Sequence, residues 1–381
     1  MKIKLFKKNK KHYTLYSLWN RKWAYISYIP DVYYNKKNTL YMLSHQNKRE
    51  ALIIGKIFYS LGYNVKVALF NAPEECDNRH YDIIFGLEPN FITMSKRNPQ
   101  ALKIYYATGA YWVHQYTMVK ERTDLFNKAH GVHLPYSRLA TSHDSCDIAD
   151  VIFQIGSSYT IQTYPSKLQN KIRIINQSSN FTQECDLEYK LQHVSRKDFL
   201  WFGSSGSILK GLDLVLEYFI EHPEYNLHVV GPIDKEFMDY HQEQISLCPN
   251  IHFYGFLNTN SEQFMHLAYL CSFNIFPTGS EGCPGSIITL MQMGVIPIVS
   301  KWGAIDKIDY YGYLLPELST DAIDMAVKWA SAVPKDKLHK LIEENISYSK
   351  QTWNLERFEN ELRSELEEAI KTNIEKRKVS I

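Results

Sequence analysis

The sequence predicts an α/β protein of two Rossmann-like, doubly wound domains facing each other across a cleft. Three observations predict it. Strand–helix–strand units recur in both halves of the 381-residue chain. Between the halves, from Asn176 to about Arg196, the chain turns polar. In the second half, two strands run into helices through loops rich in glycine and serine, at 203–211 and 277–286. A helical crossover makes its two strands parallel, and helices then cover both faces of the sheet.

In chain order, residues 24–29 form the first convincing strand, closed by Pro30. Residues 39–43 read as a short strand or as part of the Tyr-rich loop before them. Ser44 or Asn47 caps the next helix, in which Ala51, Ile54, Ile57, Phe58 and Leu61 share one face. Gly62 stops it, and 65–70 returns as a strand. Strands follow at 81–85 and 103–107, the second leading through a loop into a polar helix that ends near Ala129. After the strand 150–155, Ser157 and Ser158 are placed to cap a helix from Tyr159 to Tyr164, and 171–175 is the last strand of this half. The first domain is therefore set at 1–178 and the linker at 179–196.

The second domain, 197–350, opens on a strand at 199–203. Its glycine loop runs into a helix with Leu212, Val215, Leu216 and Phe219 on one face. Strands at 227–230, 252–256 and 273–276 follow, with a Ser261-capped helix at 261–270. Residues 286–293 are a buried helix, Gly294 its stop, and 296–299 a buried parallel strand. A short strand at 313–315 and helices at 320–332 and 335–349 complete the domain. The tail, 351–381, is a long charged helix with Leu355, Phe358, Leu362, Leu366 and Ile370 along one side.

Composition bounds the function. Hydrophobic residues make up 45% and charged residues 22%, which is globular, and a net charge of +2 argues against a nucleic-acid partner. The six cysteines lack metal-like or paired spacing and suit a reducing compartment, so a cytoplasmic location is expected. No apolar run reaches the length of a membrane span. The first eleven residues hold six lysines with Ile3, Leu5 and Phe6 between them. Two readings stay open for that segment: contact with the anionic inner face of a membrane, or a solvated tail.

Four stretches offer chemistry. In the loop Gly203, Ser204, Ser205 to Lys210, open backbone, hydroxyls and a lysine at a helix start suit a phosphate. It is not a P-loop, since glycine follows Lys210. Around Glu281, the residues Gly279, Gly282 and Gly285 let backbone approach a ligand closely, and the helix starting at Ser286 presents free N–H groups. A carboxylate beside a phosphate site describes a sugar nucleotide; a solvated βαβ turn is the plain alternative. His114 follows the strand 103–107, flanked by Trp112, Val113 and Tyr116, and is a sugar-facing or a structural residue. His45 and Asn47 at a helix entry line a cleft or simply cap the helix. Zinc-binding spacings, H-E-x-x-H and G-x-S-x-G are absent.

The pattern S-E-G…P…M-x-x-G-x-x-P-x-V-S at 280–300 resembles the donor-binding segment of GT-B glycosyltransferases, in particular the retaining family four, glycosyl transferases group 1. The resemblance covers nearly the whole chain and is most specific at 199–213 and 273–300. It implies a GT-B fold whose C-terminal helix crosses back onto the first domain. It further implies transfer of a sugar from a nucleotide diphosphate donor to a carbohydrate or lipid-linked acceptor, in polysaccharide or glycoconjugate synthesis, with retention and without a bound metal or other cofactor. By the same resemblance Lys210 holds the diphosphate, Glu281 and His114 orient the sugar, and backbone near Gly285 and Ser286 holds phosphate. The chain departs from the family at two places. Ser204 stands where the family has an arginine, and Thr289 where it has a second glutamate, which leaves ribose recognition open. Two other readings keep the fold: a non-catalytic sugar-nucleotide-binding or scaffold protein, and a sugar-nucleotide epimerase.

Overall fold

The computed structural model describes residues 11–379, so the lysine-rich segment before them and any membrane contact it makes lie outside the description. The first domain is a seven-stranded sheet of β1 (His12–Leu15), β2 (Lys22–Tyr28), β3 (Tyr63–Leu69), β4 (Ile83–Gly86), β5 (Leu102–Ala107), β6 (Val151–Ile155) and β7 (Ile172–Ile175). Its order is β1-β3-β2-β4-β5-β6-β7, with β1 antiparallel to β3 and every other pair parallel. The second is an all-parallel sheet of β8 (Ser195–Phe202), β9 (Asn226–Val230), β10 (Ile251–Gly255), β11 (Cys271–Phe276), β12 (Ile296–Ser300) and β13 (Tyr313–Leu315), in the order β10-β9-β8-β11-β12-β13. Strand order reverses between β2 and β4 in one sheet and between β8 and β11 in the other. Ligands of such sheets bind beyond the carboxyl ends of the strands at those points.

The apolar faces read from the sequence form the cores. Ile54, Ile57 and Phe58 of the helix Gln46–Ser60 pack on Val65, Phe85 and Ile104 in the first. Phe199, Val215, Phe219 and Phe273 build the second. The helix Leu355–Val379 lays Phe358, Leu362 and Leu366 into the first core. The chain thus crosses between domains twice, and the crossings meet where Ser179 N donates to Trp353 O at 3.0 Å.

Local chemistry alters several elements. Residues 39–43 are neither strand nor loop: Thr39–Met42 is one helical turn, started by the Asn38 side chain accepting from Tyr41 N. The cap of the next helix is His45, whose ring nitrogen accepts from Asn47 N, rather than Ser44 or Asn47. The turn after β6 is short, Ser158–Ile161, because a Ser157–Thr160 capping box starts it and Pro165 bars continuation. Within 179–196 the chain forms a helix, Leu187–His193, capped by Asp186. That helix fully buries Lys190, whose ammonium donates to Ala268 O and, at 2.6 Å, to Cys271 O, closing the end of the helix Glu262–Leu270. Burial pushes the Lys190 pKa down to about 8. Several further helices, the longest of them Asn90–Arg97 and Lys235–Ser246, escaped the sequence reading. Among the described residues all six cysteines are free, and no helix is long and apolar enough to cross a membrane.

Candidate functional site

A cavity of about 570 Å³ lies between the sheets, bounded by the carboxyl ends of β2, β5, β6 and β8 and by the loops after β8 and β11. Two loops of the second domain meet on its wall. Gly279 N donates to Leu209 O at 2.7 Å and sets the loop after β11 beside the loop after β8. This brings Lys210 against Glu281, with Nζ 2.7 Å from Oε1. Both side chains are largely withdrawn from solvent, and the Lys210 ammonium also stands 5.3 Å from the centre of the Phe276 ring. Gly285 and Ser286, at the start of the helix Gly285–Gln292, line the same cavity. A cation, a carboxylate and helix-terminal N–H groups therefore share one wall, the requirement for holding a phosphate next to a hydroxylated group.

Of the other residues singled out by sequence, Gly203, Ser204, Thr289, His45 and Asn47 line the cavity. Thr289 is buried, its hydroxyl 3.3 Å from that of Ser179. Ser205 is exposed and stands apart from the lining. The amides of Gly206 and Ser207 are committed to Asp234, whose carboxylate accepts both at 2.9 and 2.7 Å. Less of the glycine loop is open to a ligand than its composition suggested.

Two of the glycines around Glu281 also meet the first domain. A Cβ at Gly282 would sit 2.6 Å from Thr108 O and 2.8 Å from Ile155 O, and one at Gly285 would sit 2.4 Å from Gln46 Nε2. First-domain side chains then pin the loop: Thr160 Oγ1 donates to Gly282 O at 3.1 Å and Gln177 Nε2 to Cys283 O at 2.5 Å. His114 belongs to this clamp and does not line the main cavity. Its Nε2 lies 3.0 Å from Gly279 O, a carbonyl that only accepts, so Nε2 carries the proton. The ring packs on Trp302, with centroids 4.4 Å apart. Burial lowers the His114 pKa and favours this neutral form.

Sequence reasoning missed the cavity floor. Glu50, on the helix Gln46–Ser60, is 2% exposed and accepts from Ser178 N at 2.6 Å and Ser178 Oγ at 2.8 Å through Oε1. Burial raises its pKa to about 7, against the opposing effects of those bonds and of Arg49. Tyr28 and Tyr106 line the cavity beside it, and the Tyr106 hydroxyl and Asn47 Oδ1 have no partner among the described residues. Glu50 was legible in principle: it lies four residues before Ile54 on the apolar face of its helix, where a carboxylate is out of place. Arg138, which also lines the cavity, comes from an irregular loop and carried no such signal. His45 is shifted down by burial, so a neutral imidazole faces the cavity. Among the described residues, no group of three or more His, Cys, Asp or Glu side chains is arranged to hold a metal ion.

Residues 196–331 match the model of the family glycosyl transferases group 1. No curated protein matches the chain in sequence. Sucrose-phosphate synthase from Thermosynechococcus elongatus superposes with a TM-score of 0.63 at 12% identity, over 92% of this chain and 99% of that one. HepE of Anabaena, solved in complex with UDP, superposes with a TM-score of 0.57 at 12% identity, over 91% of this chain and 100% of that one. WaaG, a glycosyltransferase involved in lipopolysaccharide biosynthesis, gives 0.56 at 14% identity, over 89% and 98%. The two facing Rossmann-like domains are those of the GT-B fold.

Proposed function

We propose that this GT-B chain, whose second domain carries the group 1 glycosyl transferase pattern, moves a sugar from a nucleoside diphosphate donor to a carbohydrate or lipid-linked acceptor. The Lys210–Glu281 pair on the cavity wall carries the reading. Departure of a diphosphate leaves negative charge on phosphate and an electron-poor sugar carbon. Preorganised donors at those positions are the main means of lowering such a barrier. Lys210 and the N–H groups at Gly285 and Ser286 take up the phosphate charge. Glu281 then accepts hydrogen bonds from the donor sugar. His114 acts one step removed, holding Gly279 and with it the loop that carries Glu281. Closure of the first domain over that loop excludes water and limits donor hydrolysis.

That HepE was crystallised with UDP and with UDP-glucose supports a nucleoside diphosphate sugar as donor. The association of WaaG with lipopolysaccharide biosynthesis supports an acceptor in polysaccharide or glycoconjugate assembly. Retention at the anomeric carbon, with no resident metal or cofactor, is part of the proposal. The test is acceptor-dependent release of nucleoside diphosphate across a panel of donors and glycan acceptors. Release by the wild type, lost in Glu281→Ala, supports transfer. Binding of a donor with no turnover on any acceptor favours the non-catalytic reading, to which the buried Thr289 and its Ser179 partner lend weight. An altered sugar still joined to nucleotide marks an epimerase.

A further inference from the structure

We infer that Arg138 is a diphosphate-binding residue that the first domain supplies to the nucleotide site of the second. The inference rests on the glycosyl-transfer reading above. Lys210 and Arg138 are the lysine and arginine of the cavity lining. Lys210 is already neutralised by Glu281. The Arg138 guanidinium makes no hydrogen bond or ion pair among the described residues; only its backbone carbonyl is engaged, accepting from Gln115 Nε2 at 2.9 Å. A diphosphate brings more than one negative charge into this space, and one partnered lysine does not match it. A guanidinium binds phosphate oxygens through two parallel N–H groups, which a lysine does not reproduce.

The position of Arg138 is built, though the residue sits at the exposed rim of the cavity. Its φ is +62°, a left-handed backbone that a residue other than glycine adopts only when its surroundings require it. Three features supply that requirement. Gln115 holds the carbonyl. The preceding residue, Ser137, donates its hydroxyl to Asp234 Oδ1 at 3.0 Å, and the other oxygen of Asp234 holds the amides of Gly206 and Ser207. The arginine stem then lies over Gly206: a Cβ there would stand 2.5 Å from Arg138 Cδ. One carboxylate thus ties the arginine-bearing loop of the first domain to the glycine loop of the second. A diphosphate held by Lys210 on one side and Arg138 on the other bridges the two domains, so donor binding and domain closure are linked.

The experiment is calorimetric titration of the full chain with UDP, ADP and GDP, and with the monophosphate of whichever diphosphate binds. The wild type is compared with Arg138→Asn, which tolerates a left-handed backbone, and with Arg138→Lys. The inference predicts that Arg138→Asn weakens the diphosphate at least tenfold and the monophosphate less than threefold. Arg138→Lys recovers part of the loss. Equal diphosphate affinity in wild type and Arg138→Asn overturns this inference and leaves the functional reading standing. No binding of any diphosphate by the wild type overturns the functional reading, and this inference with it.

Discussion

Lys210 Nζ lies 2.7 Å from Glu281 Oε1, so the residue proposed to meet phosphate and the residue proposed to meet the sugar hold each other. The pair keeps two charges compensated in a space with little water. On the proposed function, a donor's phosphate replaces Glu281 as the partner of Lys210.

Substitutions at the pair therefore separate binding from stability. Glu281→Gln frees Lys210, so nucleoside diphosphate binds several-fold more tightly while sugar transfer is lost. Lys210→Met leaves Glu281 withdrawn from water without a partner, and stability falls by roughly 3–5 kcal/mol. The double variant Lys210→Met/Glu281→Gln recovers most of that loss. Urea unfolding of the four proteins closes the cycle, and strictly additive single effects would contradict the coupling.

Glu50 makes stability depend on pH in a definite direction. Its pKa rises from the ordinary 4.5 to about 7 in the folded chain, with burial as the leading cause. Below both values the carboxyl is protonated in both states and carries no penalty. Between them the unfolded chain loses its proton first, so this group lowers stability as pH rises from about 4.5 to about 7, by about 3 kcal/mol in all. Glu50→Gln removes that contribution. The difference in stability between variant and wild type should grow in favour of the variant across this window and level off above it; parallel pH curves would refute the assignment.

A different ion pair joins the two domains. Arg122, on the helix Trp112–His130, gives Asp213 two bonds from Nη2, at 2.9 and 2.7 Å, and both side chains are nearly buried. Burial outweighs the arginine and lifts the Asp213 pKa to about 6. Asp213→Asn strands a buried guanidinium and should cost roughly 3 kcal/mol, with most of it returned in Arg122→Met/Asp213→Leu. Denaturant midpoints measure both, and an unchanged midpoint in Asp213→Asn would show that water already reaches the arginine.

How far the sequence carried depended on whether the signal was local. The units around 44–70 and 273–300 were legible because helical spacing, a glycine stop and a returning apolar run lie within one short window. The helix at Leu187–His193 was hidden because its main anchor, Lys190, reads as a polar linker residue until the Ala268 and Cys271 carbonyls fold over it. Lys210 and Glu281 were each visible as suited to anions and hydroxyls. Their contact was not, since it depends on Gly279 N meeting Leu209 O across 70 residues. Arg138 and the clamp around Gly282 depend on the packing of one domain against the other, which no window of sequence contains.

The cavity between the domains is proposed to bind a nucleoside diphosphate sugar through Lys210. Thermal unfolding with a panel of sugar nucleotides tests it most directly, because a ligand of the folded state adds RT ln(1 + [L]/Kd), about 2.7 kcal/mol at a hundredfold excess over Kd. The expected result is stabilisation by one donor or a narrow group of them, sharply reduced in Lys210→Ala relative to that variant's own unliganded midpoint. No stabilisation by any sugar nucleotide, or a shift that Lys210→Ala leaves intact, would contradict it.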